Sequence, residues 1–117
     1  MILAVLDDLM FSSKIKTAAN QLGVDLRFSR SLDGALETMR KNPTTLVLFD
    51  LNNQRLDPLA IVSAMHADPA LASIPTIGYA SHVQVDVIDA ARQAGVDEVM
   101  ARSAFTSKLA DILKAAQ

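Results

Sequence analysis

Asp7, Asp8 and Asp50 are the residues whose type and placement could do chemistry. Each closes a short apolar run. Ile2-Leu3-Ala4-Val5-Leu6 leads into Asp7-Asp8, and Leu46-Val47-Leu48-Phe49 leads into Asp50-Leu51-Asn52. Brought together, three carboxylates repel one another unless a cation or a proton joins them. Hard oxygen ligands with no cysteine and no nearby histidine suit Mg²⁺, Ca²⁺ or Mn²⁺ rather than zinc. A carboxylate beside such an ion can also act as a nucleophile toward a phosphoryl group and form an aspartyl phosphate. Each aspartate has an ordinary alternative. Asp8 suits the cap of the helix that follows, and an aspartate after a strand is common turn chemistry. Taken together at one sheet edge, the three favour a metal site.

Other polar residues converge on the same edge. Ser81-His82 follows the fourth apolar run, where His82 could contact a phosphoryl oxygen or tune the site near neutral pH; a capping serine and an exposed loop histidine are the plainer roles. Arg102, after the fifth, suits a phosphate contact and equally an ion pair with Asp50 or Asp8. His66 reads as a surface residue of an amphipathic helix.

The elements that must position these groups follow from hydropathy. Runs as short and apolar as 2–6 and 46–49 predict strands buried on both faces, the habit of a parallel sheet. Residues 24–28 alternate, which predicts a strand with one wet face near an edge. Strands are also predicted at 74–80, with Pro75 at the start, and at 98–101. Helical spacing links Phe11, Ile15, Ala18, Ala19 and Leu22, and Gly23 stops that helix. Ser31 caps a second helix carrying Leu32, Ala35, Leu36 and Met39; Asn42-Pro43 ends it. Asp57-Pro58 opens a third, whose stripe is Leu59, Val62 and Met65 with Ile61 beside them. A fourth covers 83–94, with Val87, Ile88, Ala91 and Ala94 inward, and a fifth 104–115, with Leu109, Ile112 and Leu113 inward. Five alternating strand–helix units predict a doubly wound α/β fold, (βα)5, with a parallel sheet in the order 2-1-3-4-5. That order sets strands one and three side by side, so Asp7, Asp8 and Asp50 meet at the carboxyl edge where open α/β sheets bind ligands.

The composition narrows the classes. The 117 residues fit one domain. Half the residues are apolar and 21% charged, as in a globular chain. A net charge of −2 and the absence of a basic run give no nucleic-acid footprint. No cysteine means no disulfide and no thiolate chemistry. The apolar start lacks a basic lead-in, and no run approaches membrane-spanning length, so a cytoplasmic location is expected. The four glycines are scattered and form no phosphate loop, which disfavours a nucleotide or flavin binder.

Over its full length the chain resembles the receiver domain, the phosphoacceptor module of two-component response regulators (the CheY-like family). The matching residues are Asp7-Asp8, Asp50, Asn52 two residues on, Asp57-Pro58 where the family often has Asp-Gly, Pro75, and Ala94-Gly95. The resemblance implies that Asp50 is the phosphoacceptor. It implies Mg²⁺ as the cation, held by the side chains of Asp8 and Asp50 and the backbone carbonyl of Asn52, with Asp7 acting through water. It implies a histidine kinase or phosphotransfer protein as donor and a downstream protein as reader. The face around the fourth helix, fifth strand and fifth helix is the usual contact surface, open here to a partner or to a second copy of the chain. Ala101, Ala104 and Ala110 would make that face smooth. No conventional enzyme activity is expected beyond self-phosphorylation and dephosphorylation.

The chain departs from the family at three places. The hydroxyl residue expected at the end of the fourth strand is Ala80, with Ser81 one residue late. The lysine expected after the fifth strand is Arg102, which keeps the charge but presents a planar fork. The aromatic residue expected within that strand is Val99. These departures admit an alternative, a phosphorylation-independent pseudo-receiver that acts as a protein-binding adaptor. An aspartyl-phosphate phosphatase is disfavoured, because Asp50-Leu51-Asn52 breaks the Asp-x-Asp start of that class.

Overall fold

The computed structural model describes residues 1–80 and 85–116. Five parallel strands, β1 (Ile2–Val5), β2 (Leu26–Ser29), β3 (Leu46–Asp50), β4 (Thr76–Ala80) and β5 (Glu98–Ala101), form one sheet in the order β2-β1-β3-β4-β5. The connecting helices are α1 (Leu9–Leu22), α2 (Leu32–Lys41), α3 (Pro58–Ala67), α4 (Val85–Ala94) and α5 (Arg102–Ala115). A short 3₁₀ turn, Gln54–Leu56, precedes α3. The expected architecture and strand order are therefore observed.

The two-residue period of the strands divides the core. Leu3, Val5, Val47 and Phe49 face one layer, where they meet Ala35, Leu36 and Met39 of α2, Ile61, Val62 and Met65 of α3, and Ala91 of α4. Ile2, Ala4, Leu46, Leu48 and Tyr79 face the other, against Phe11, Ile15 and Ala19 of α1 and Phe105, Leu109 and Leu113 of α5. Leu48 and Phe49 are both 0% exposed, so adjacent residues of β3 fill opposite cores. Burial of side chains of this kind stabilises the fold by about 1.5–3 kcal/mol each.

Local chemistry explains where the elements begin and end. Gly23 adopts φ 68°, and its N–H donates back to Ala19 and Asn20 carbonyls while Val24 N donates to Ala19 O. This turn absorbs Val24, so β2 starts at Leu26 rather than Val24. It is an edge strand with Arg27 outward, as its alternation implies. β1 ends at Val5, and Leu6 stays buried beyond it. Ser31 and Asp57 cap α2 and α3, accepting from Gly34 N and Ala60 N respectively. In α3 Ile61 belongs to the buried stripe and Leu59 is only half-buried. Val87 and Ile88 of α4 are likewise half-exposed, and Ala91 alone among its described residues is buried.

Two corrections concern α5. It begins at Arg102, not at 104, directly off β5 and without a side-chain cap. Phe105, absent from the expected stripe, is fully buried. His66, although exposed, hydrogen-bonds the Gly95 carbonyl at 3.0 Å and so ties α3 to the turn after α4.

Candidate functional site

The sheet positions the acids. Val5 pairs with Phe49 in the parallel register of β1 and β3, so Asp7 and Asp8 emerge beside Asp50 at the carboxyl edge. Asp50 is half-buried at the tip of β3, and its Oδ1 accepts the Asn52 N–H at 3.0 Å. Burial pushes its carboxyl above the usual aspartate range. The Asn52 N–H and the Arg102 charge oppose that shift, and the negative charges of Asp8 and Asp7 add to it.

Asp8 plays two roles at once. As N-cap of α1, its Oδ1 accepts from Met10 N at 3.0 Å and Phe11 N at 3.1 Å. Its Oδ2 pairs with Arg102 Nη2 at 3.1 Å. The Phe11 N–H first, and then Arg102, hold its carboxyl below the ordinary value. The same Arg102 guanidinium lies 4.2 Å from the centre of the Phe11 ring, a cation–π contact. The start of α5 directly after β5 is what brings this side chain over the site.

Asp7 is engaged separately. Its carboxylate accepts from Asn53 Nδ2 and from Arg55 Nη2, and the Arg55 bond is the main reason its carboxyl is held low. Neither Asn53 nor Arg55 was expected at the site; both belong to the polar stretch 52–55, read from sequence only as a loop. A signal was available, since that stretch leaves β3 at the same edge as Asp7.

The expected metal set is Asp7, Asp8, Asp50 and Asn52. The donor atoms suit a hard cation in kind, being carboxylate and carbonyl oxygens. Asp7 and Asp8 each face an arginine, and among the described residues no three Asp, Glu or His side chains form a group that could hold a metal ion. The two guanidinium groups supply the counter-charge that three converged carboxylates require. Asn52 contributes its backbone N–H to Asp50.

The remaining candidates divide. Ala80, the last residue of β4, is buried and brings no hydroxyl to the edge. Val99 is half-buried within β5. Ser81 and His82 lie outside the described residues. Of the residues expected to make up the contact face, Ala101 and Ala104 are partly buried and Ala110 is exposed. No helix among the described residues is long and apolar enough to cross a membrane.

No protein-family model matches the chain, and no curated protein matches it in sequence. Solved structures do match. A response regulator from Hahella chejuensis aligns with a TM-score of 0.84 at 18% identity over 97% of this chain and 91% of its own. The chemotaxis response regulator CheY4 of Vibrio cholerae aligns with a TM-score of 0.82 at 14% identity over 99% and 97%. The Mn²⁺-bound form of response regulator Rcp1 aligns with a TM-score of 0.77 at 19% identity over 95% and 89%. With strand order β2-β1-β3-β4-β5 and acids at the carboxyl ends of β1 and β3, this chain has the fold of the response-regulator receiver domain.

Proposed function

We propose that this chain acts as a receiver module of a two-component phosphorelay: Asp50 accepts a phosphoryl group from a histidine kinase or phosphotransfer protein, and a protein partner reads the change. The observation that carries this reading is Asp50 itself, a half-buried carboxylate at the tip of the central strand with Asp8 and Arg102 beside it. In the transfer, a carboxylate oxygen of Asp50 forms a bond to phosphorus. The phosphorus–nitrogen bond of the donor phosphohistidine breaks, and its electron pair returns to the imidazole, which takes up a proton. Desolvation raises the energy of the Asp50 anion, which favours its role as nucleophile. Arg102 is close enough to act on Asp50 electrostatically, and its fork can turn from Asp8 to the new phosphoryl oxygens.

Arg55 and Arg102 pair with Asp7 and Asp8, and no step here is routed through a cation. Mg²⁺ is the cation the resemblance implies, and Rcp1 is a Mn²⁺-bound relative in fold. The same two arginines favour the second reading, an adaptor that keeps the receiver fold and binds proteins without phosphorylation.

Acetyl phosphate and beryllofluoride, each with and without Mg²⁺, decide between the two. The receiver reading expects a covalent mass gain with acetyl phosphate that is absent in Asp50→Asn. No adduct with either reagent under any condition overturns it and leaves the adaptor.

A further inference from the structure

The Tyr79 hydroxyl is the one buried side-chain polar atom without a hydrogen-bond partner among the described residues. Such a group is costly to leave unpaired and calls for an explanation. Tyr79 is 1% exposed and stands opposite Asp50 in the parallel register of β3 and β4. Residues opposed in this way project from the same face of the sheet on strands about 4.8 Å apart. The two strands are also hydrogen-bonded beside this pair, since Leu51 N donates to Tyr79 O at 2.9 Å.

The ring has little freedom. It stacks on Phe105 at 4.7 Å and an interplanar angle of 20°, and it meets Phe11 at 5.0 Å. Arg102 lies over the other ring that meets Tyr79, Phe11. The phenol is thus a rigid donor beside the acids. Burial, and after it the Asp50 charge, push its ionisation well above the neutral range, so it keeps its proton.

We propose that the Tyr79 hydroxyl donates a hydrogen bond to the oxyanion carried on Asp50, standing in for the hydroxyl that Ala80 lacks. This rests on the reading of Asp50 as phosphoacceptor. No hydrogen bond joins the hydroxyl to the resting Asp50 carboxylate. An oxyanion bonded to Asp50 carries acceptors beyond that carboxylate, on the side of the sheet where the phenol waits unpaired.

Composition makes the test clean. Tyr79 is the only tyrosine and there is no tryptophan, so the near-UV tyrosine signal reports this residue alone. Beryllofluoride serves as the probe, in buffer with Mg²⁺. Its binding to the wild type shifts the tyrosine absorption band. Tyr79→Phe binds it about tenfold more weakly or worse, the size of a lost hydrogen bond to a charged acceptor, and displaces one bound-fluorine resonance in ¹⁹F NMR. Without the probe, Tyr79→Phe keeps or raises the urea midpoint, because it removes an unpaired buried hydroxyl. Wild-type binding with an unshifted tyrosine band and an unchanged Tyr79→Phe affinity overturns this inference alone. A lower urea midpoint for Tyr79→Phe overturns it too, by revealing a resting partner. Failure of the wild type to bind beryllofluoride overturns this inference, and overturns the phosphoacceptor reading with it when acetyl phosphate also leaves no adduct.

Discussion

Replacing Asp8 separates its structural work from its electrostatic work. Asp8→Ala removes a cap that satisfies two backbone N–H groups of α1. Loss of such a cap costs about 1 kcal/mol. It also removes the ion pair with Arg102, whose partners are 37% and 39% exposed. Solvent screening at that exposure limits the pair to about 0.2–1 kcal/mol. The sum is about 1.5 kcal/mol. For a domain of 117 residues that lowers the thermal midpoint by roughly 6 °C. Asp8→Asn keeps a cap acceptor and loses the charge, so it should cost only the ion-pair part, about 0.5 kcal/mol. Urea melts of both variants, combined with Arg102→Ala in a double-mutant cycle, measure the two parts. The Asp8 carboxyl is held low in the fold, so its stabilisation is complete above the ordinary aspartate pKa, about 3.9, and is lost as pH falls below that toward the folded value. The Asp8→Ala penalty should therefore shrink on acidification. Equal destabilisation by Asn and Ala, or no coupling to Arg102, would refute this division of roles.

Two further outcomes follow from the same charges. The Asp50 carboxyl is raised by burial, so its ionised form opposes folding at neutral pH and the opposition fades as pH falls through its raised value toward the ordinary one. Asp50→Asn, which keeps an acceptor for the Asn52 N–H, should raise the urea midpoint at pH 7 and gain nothing once wild-type Asp50 is protonated; a neutral-pH loss of stability contradicts this. Arg55→Ala should release Asp7 and raise Mn²⁺ affinity by a few-fold, read as loss of the free-ion signal in electron paramagnetic resonance. Unchanged or weaker affinity would show that Arg55 does not compete with the cation.

The fold was legible because its determinants are local. The apolar runs at 2–6 and 46–49, the glycine stop at Gly23 and the caps at Ser31 and Asp57 each act within a few residues, and hydropathy records them directly. The strand order then placed Asp7 and Asp8 beside Asp50. What the acids touch was not legible in the same way. The partners are Asn53 and Arg55 for Asp7 and Arg102 for Asp8, at separations of 46, 48 and 94 residues. A long flexible guanidinium carries no periodic signature of its target, and its reach depends on where α5 begins and how the turn after β3 folds. Tyr79 shows the same limit. Its strand position could be read from the sequence, but its unpaired hydroxyl exists only because Phe11 and Phe105, from two different helices, close around the ring. The amino-acid sequence by itself thus determined the sheet and the place of Asp50, while tertiary packing decided which charges and which hydroxyl surround it, because those contacts are set by distant elements meeting in space.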